Sequence, residues 1–241
     1  MTSIIASKLN MTRQPVAIYR SKTCPENALQ FREGVWGCVI ALLNAASQGR
    51  TAAFHRSTVV CKGGQAGLGL HPFETGVIEY FLSVGGKDPR PGEHYKKTPE
   101  LALEYIHGLP AVERPDYVVF QPLDQMNGVE PEAVVFLVNA DQLSGLVTLA
   151  NYDQHTQDNV QIRFASGCAQ SILYGLHGQE TGSDCCYIGL TDPSARKCID
   201  KDLLSFTIPY HRYVEMEANA PGSFLDTDTW ATICQRIPRE E

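Results

Sequence analysis

The alternation of short, strongly apolar runs with amphipathic stretches restricts the fold most. Tyr117 to Gln121 and Ala133 to Val138 are the two strongest strand segments, dense in the β-branched and aromatic residues that suit a pleated sheet. Weaker strand signals lie at Pro15 to Tyr19, Thr51 to Phe54, Thr58 to Val60, Val160 to Phe164, Cys186 to Leu190 and Leu204 to Ile208. Helical stretches fall between them. From Trp36 to Ser47, Val39, Leu42, Leu43 and Ala46 are spaced three and four apart and mark one buried face, with Gly49 as the stop. Further helices are expected at Pro72 to Ser83, Pro99 to His107, Gln142 to Asn151 with Asp141 as N-cap, Cys168 to about Tyr174, Arg212 to Ala218 and Asp226 to Arg236. Strand and helix in alternation predict an α/β class, with α+β as the alternative: a mixed β-sheet flanked by helices, in a single domain over residues 1–241. The segment from Gly85 to Thr98 carries Gly85-Gly86, Asp88-Pro89 and Pro91-Gly92 and no periodicity. It reads as a long loop, a linker or a lid, between an N-terminal part (1–84) and a C-terminal part (99–241).

Charge and hydropathy narrow the function. Hydrophobic residues make up 43% and charged residues 20%, enough for a packed core. Lys and Arg total 20 against 27 Asp and Glu, a net charge of −7, which argues against nucleic-acid binding. No run reaches the roughly 18 apolar residues of a membrane span. The segment from Met1 to Asn10 lacks a secretory pattern. The expectation is a cytoplasmic protein in which thiols stay reduced.

Eight cysteines then need a reason. Cys38 follows Gly37 and Cys168 follows Gly167, each at the start of an expected helix, while Cys61 opens the turn Cys61-Lys62-Gly63-Gly64. Backbone amides at such places are uncommitted, favour a thiolate and tune iron–sulfur clusters. Cys38, Cys61 and Cys168 are therefore the candidate metal ligands, and Cys185 or Cys186 a candidate fourth; adjacent strand residues face opposite ways, so at most one of that pair joins. The competing reading is that these cysteines simply pack in the core. Cys24, Cys198 and Cys234 read as incidental. Gly63 to Gly69 matches neither a dinucleotide fingerprint nor a P-loop, but its amides suit an anion, and Arg196-Lys197 is a basic pair suited to the same task. His55, His71 and His211 are weak acid–base candidates, a Cys61–His55 pair is not enforced by spacing, and Asp124 with Glu130 has no positional reason to act together.

A resemblance adds to this. Phe31 to Cys38, Gly49-Arg50-Thr51, Cys61-Lys62-Gly63-Gly64, Gly67-Leu68-Gly69, Tyr117 to Leu123, Leu137 to Leu143, Gly167-Cys168, Gly189 to Lys197 and Ile208-Pro209 together resemble the bacterial and archaeal family known as domain of unknown function 169, in register from Pro15 to about Trp230. The resemblance implies that Cys38, Cys61 and Cys168 belong to a family pattern, which departs here at Lys62, where a Pro often follows the Cys. It also implies an anaerobic setting that suits an oxygen-sensitive cluster.

Two functions are expected from these features. In the first, Cys38, Cys61 and Cys168 hold an iron–sulfur cluster or metal. Gly37, Gly63, Gly64 and Gly167 supply amides and room, Arg196 and Lys197 steady an anionic ligand, and the setting is redox-related with a redox partner. In the second, a metal-free module binds a small anionic molecule through the glycine loop and the Arg196-Lys197 loop, and the cysteines only pack. Thiol exchange between Cys61 and Cys168 is a third option.

Overall fold

Apolar residues alternate between the two faces of the central strands. In Ala133–Val138, Ala133, Val135 and Leu137 join one core cluster, whereas Val134, Phe136 and Val138 join another. A strand buried on both sides needs helices on both faces. The computed structural model, which describes residues 2–87, 89 and 91–237, shows that arrangement, with Asp88 of the predicted loop outside the described residues.

In chain order the elements are α1 (Ile4–Lys8), β1 (Val16–Ser21), α2 (Val39–Ser47), β2 (Ala52–His55), α3 (Lys62–Gly67), α4 (Ile78–Phe81), α5 (Pro99–His107), β3 (Tyr117–Pro122), β4 (Ala133–Val138), α6 (Ala140–Ala150) and β5 (Val160–Ile162). A π-helical segment (Ala169–Leu173) then leads into α7 (Tyr174–Thr181). β6 (Cys186–Gly189), α8 (Pro193–Arg196), β7 (Leu204–Pro209), α9 (Tyr210–Asn219) and α10 (Asp228–Arg236) complete the fold. The seven strands form one mixed sheet in the order β2-β3-β1-β4-β7-β6-β5. The fold is α/β, and strands from before and after the 85–98 loop share the sheet.

The strand order contains a pattern that the sequence shows only faintly. β2-β3-β1 and β4-β7-β6 are both antiparallel triplets, and in each the chain visits the inner strand, then the outer, then the middle. Antiparallel pairing of β1 with β4 joins them back to back. Each triplet is thus a split βαβ unit. In the first, α2 connects inner to outer strand; in the second, α6 and β5 are inserted before the π-helical segment and α7 make the same crossing.

On the front face, α2 contributes Val39, Ile40 and Leu43, Leu68 follows α3, and α7 with its π-helical lead-in contributes Cys168, Ile172 and Leu176. On the back face Ile5 of α1, Leu146 and Leu149 of α6, Tyr213 and Met216 of α9 and Trp230 of α10 cover the sheet. Trp230 packs so closely on α6 that a Cβ at Gly145 would stand 2.6 Å from its ring.

Several local expectations are corrected. Thr58 to Val60 is turn and coil, not a strand, and the helix expected over Pro72 to Ser83 shrinks to α4. The Cys61-Lys62-Gly63-Gly64 turn is the start of α3, with Cys61 as N-cap. Glycines are poor helix formers, and packing explains Gly64 and Gly67: a Cβ at Gly64 would lie 2.9 Å from a Val39 methyl, and one at Gly67 2.4 Å from the Cys168 Cβ and 2.6 Å from the Ala169 amide nitrogen. The N-cap of α6 is Asn139 in a capping box with Gln142, rather than Asp141. α1 and α8 carry no strong sequence signal, being a single turn or little more.

Candidate functional site

The cavity-forming elements are the short ones. α3 spans Lys62–Gly67 and α4 spans Ile78–Phe81, and residues 82–98 run without helix or strand among the described residues. Short helices cannot cover the front face as the back-face helices cover theirs, and a cavity of about 740 Å³ remains. Its walls come from the start of α2, the start of α3, the 72–95 segment, the run from Phe164 to Cys168, and the turn from Thr191 to Lys197.

Cys38, Cys61 and Cys168 all line this cavity. The two split βαβ units explain their meeting. Cys38 directly precedes α2 and Cys168 directly precedes the π-helical segment, so each stands at the head of the front-face crossing in its own unit. The correspondence continues past the outer strands: after β2 the chain reaches Cys61, the N-cap of α3, and after β6 it reaches Asp192, the N-cap of α8. Asp192 also lines the cavity. Its carboxylate accepts from the Gly167 amide at 2.9 Å, the Ser194 amide at 3.0 Å and the Ser194 hydroxyl at 2.8 Å. Leu190, just before it, has φ +62 and is fully buried. A left-handed backbone at a bulky residue is costly, and here it turns the chain from β6 into the cavity wall.

The electrostatics differ from the expectation of exposed amides favouring thiolates. The amides around Cys168 are committed: Gly167 donates to Asp192, and Ala169 donates to the Ser166 hydroxyl at 3.3 Å. Burial then pushes the Cys168 thiol far up, and neighbouring Cys61, Cys38, Asp192 and Cys198 add to the shift. Cys168 is therefore a protonated thiol in this state. Cys198, read from sequence as incidental, packs on the same front-face cluster as Cys38 and Cys168, and its thiol is pushed up to about 11, first by burial and then by the neighbouring Cys38. Three of the eight cysteines thus line the cavity, and Cys198 packs on the front-face cluster beside it. The signal that finds Cys198 is topological, its position after α8 in the second unit, and spacing alone does not carry it.

Other predicted residues divide sharply. Gly63, Gly64, Gly167 and Lys197 line the cavity; Gly37 packs against the Phe31 ring instead. Arg196 is turned away, its guanidinium donating to the carbonyls of Leu203 and Lys201. Cys186 is buried on the back face and Cys185 packs near Tyr187, and neither reaches the cavity. The histidines also lie off it: His55 meets Ser57, His71 meets the Pro72 carbonyl, and His211 sits between Gln179 and Asp184.

The rest of the wall is largely apolar, with Val39, Ile40, Val60, Phe73, Ile78 and Phe81 among its members. Trp36, 58% exposed, and Phe164, 50% exposed, stand at the mouth, with Lys197 Nζ 5.9 Å from the Trp36 ring centre and Lys96 Nζ 4.4 Å from that of Phe164. Lys62 and Lys197 bring positive charge to the cavity, and Glu93 and Asp192 bring negative charge. Burial, then Glu93, pushes the Tyr95 hydroxyl up to about 12, so it remains a hydrogen-bond donor. Gln170, itself part of the lining, ties the wall together, donating to the Arg163 carbonyl and the Thr191 hydroxyl at 2.7 Å each and accepting from the Thr191 amide at 3.0 Å. Among the described residues, no group of three or more His, Cys, Asp or Glu side chains is arranged to hold a metal ion.

Among the described residues no helix is long and apolar enough to cross a membrane. No curated protein and no solved structure matches the chain. One family model does, over residues 4–219, described as uncharacterised ArCR. That span takes in both split βαβ units and every cysteine at the cavity, and the chain accordingly belongs to the DUF169 family.

Proposed function

We propose that this chain is a cytoplasmic small-molecule-binding protein whose ligand is an organic molecule with an apolar body and an anionic group, held beside the cysteine thiols. The cavity itself carries the reading. At about 740 Å³ it lies within the range of roughly 300–1,000 Å³ typical of ligand sites, mostly apolar with a few convergent polar groups. The aromatic and aliphatic wall supplies burial, Lys62 and Lys197 supply charge for an anion, and Tyr95 and Ser194 supply directed hydrogen bonds. This keeps the glycine-rich head of α3 and Lys197 as the anion side of the site and gives Arg196 a structural role.

The test is ligand-observed NMR of the reduced, metal-free protein against a panel of aromatic and aliphatic carboxylates and phosphates. Gly63→Phe is the blocking variant, because a Cβ at Gly63 meets only Ser166 at 3.7 Å and the Cys61 sulfur at 3.9 Å, so a ring there projects into open space. Binding by the wild type and loss in a folded Gly63→Phe protein are expected. Binding unaffected by the block sinks the cavity as the site.

A second reading keeps Cys38, Cys61 and Cys168 as ligands of an iron–sulfur cluster or metal in a redox role, and the observation in its favour is that all three line one cavity. Metal uptake would have to draw the thiols closer and release their protons. Anaerobic reconstitution with iron and sulfide checks it. A colourless product without bound iron ends that reading.

A further inference from the structure

Three hydroxyls on the cavity wall already accept a hydrogen bond from the protein. Tyr105 of α5 accepts from the Ser166 amide at 3.2 Å. The Ser166 hydroxyl accepts from the Ala169 amide at 3.3 Å. The Thr191 hydroxyl accepts from the Gln170 side-chain amide at 2.7 Å, and the Arg163 carbonyl takes that amide's other hydrogen, so its direction is fixed. All three residues line the cavity. A hydroxyl has one hydrogen to give, and among the described residues no protein group takes it from any of the three. Because Tyr105 bonds the backbone of Ser166 itself, these two hydroxyls belong to one spot on the wall. Thr191 adds a third from an exposed position. Burial pushes the Tyr105 hydroxyl up to about 12, so it keeps its proton.

Charge decides what such donors suit. The Asp192 carboxylate stands on the same wall, accepting from the Gly167 amide at 2.9 Å and the Ser194 amide at 3.0 Å. The amide next to Ser166 is therefore spent on a fixed negative charge, which repels a second anion. The cations are drawn to other groups. Lys62 Nζ lies 3.7 Å from Glu74, and Lys197 Nζ stands 5.9 Å from the Trp36 ring centre. Lys96 stands over the Phe164 ring at the mouth and is not part of the lining.

We infer that the Tyr105–Ser166 spot recognises an uncharged carbonyl oxygen, so that the ligand is an organic anion carrying a ketone, ester or amide group apart from its charge. The inference rests on the ligand cavity proposed above and specifies what fills it. Tyr105 is the specificity-determining residue. A carbonyl oxygen has two lone pairs and can take both hydroxyls. A methylene in its place leaves both without an acceptor where the ligand has displaced water, and that is the source of discrimination.

The test is ligand-observed NMR titration of the reduced full chain. Benzoylpropionate is compared with phenylbutyrate, and benzoylbutyrate with phenylvalerate; within each pair a C=O replaces a CH₂ at constant charge. The keto acid should bind about 3–10-fold tighter in one pair or both. Equal affinity in both pairs, with binding still blocked by Gly63→Phe, overturns the inference and leaves the cavity reading standing. No binding by any of these acids removes the cavity reading and the inference with it. Benzylsuccinate, whose second acceptor is a carboxylate, should bind no tighter than phenylbutyrate; tighter binding overturns the uncharged class. Tyr105→Phe keeps the ring that packs 5.1 Å from Phe164, centre to centre. In it the keto preference should vanish. A preference that survives, even with both acids weakened together, overturns the role of Tyr105. Should Tyr105→Phe not fold, Ser166→Ala should lower the same preference, and the wild-type pairs decide on their own.

Discussion

The two faces of the sheet solve the same burial problem in different ways. The back face is closed. Trp230 is buried, with its indole N–H donating to the Lys8 carbonyl at 2.8 Å. Arg212, with no exposed side-chain surface, bonds Asp153, Glu215 at 2.8 Å and the Ala150 carbonyl at 3.1 Å. Glu217 pins the first turn of α1 by accepting from the Ile4 amide at 2.8 Å. The front face covers the inner strands with α2 and α7 but leaves the cavity where α3 and α4 are too short. Tight packing lets one face hold the fold together. Incomplete packing lets the other keep thiols, lysines and carboxylates around a space. Stability and chemistry are divided between the faces.

The largest test of that division is Trp230→Ala. It should cost about 3–5 kcal/mol, read as a shift of the urea midpoint, because the indole fills the space over Gly145 and Leu9. A loss under about 1 kcal/mol would show that the back face does not hold the fold. A smaller effect is expected from acid. Hydrogen bonding to the Arg212 guanidinium, outweighing some burial, holds the Asp153 carboxyl down at about 2. A depressed carboxylate stabilises the fold above its unfolded value near 4 and loses that contribution as pH falls toward 2. Denaturation midpoints should therefore drop between about pH 4 and pH 2, and Asp153→Asn should flatten part of that slope. An unchanged slope in the variant would remove Asp153 from the account. The smallest effect belongs to the front face. Trp36→Ala, at the cavity mouth, should leave stability within about 0.5 kcal/mol while weakening ligand binding in the NMR assay. A larger loss of stability would show that the mouth is part of the core.

Much of the sheet can be read from the chain alone because its signal is local. Tyr117 to Gln121 and Ala133 to Val138 are dense in valine and aromatic residues, and they become β3 and β4 within a residue or two. The spacing of Val39, Leu43 and Ala46 likewise marks the buried side of α2. What escapes the sequence is decided by contacts remote in the chain. Three glycines within Lys62–Gly67 predict a turn, but close approach to Cys168 makes a helix there. Gly167 looks like a free amide donor until Asp192, 25 residues on, is found accepting from it. Arg196 and Lys197 look alike as neighbours, and only the carbonyls of the following turn separate them. Cys198 packs on the same core cluster as Cys38, which lies in the other split βαβ unit.

The π-helical segment from Ala169 to Leu173 sets a rotational phase within one continuous helical rod. Upstream of it, Ser166 and Cys168 face the cavity; downstream, a Cβ at Gly175 or Gly178 would press within 2.6 Å of Thr207 or Pro209 of β7. An α-helix turns about 100° per residue, and a π-helical turn accommodates one residue more than an α-helical turn. Removing a single residue from 169–173 would let the rod rewind as ordinary α-helix. Either the glycine face would then leave β7, or the Cys168 side chain would swing about 100° off the cavity. The surplus residue works as a phase adjuster, letting one rod meet a crowded strand at one end and an open cavity at the other.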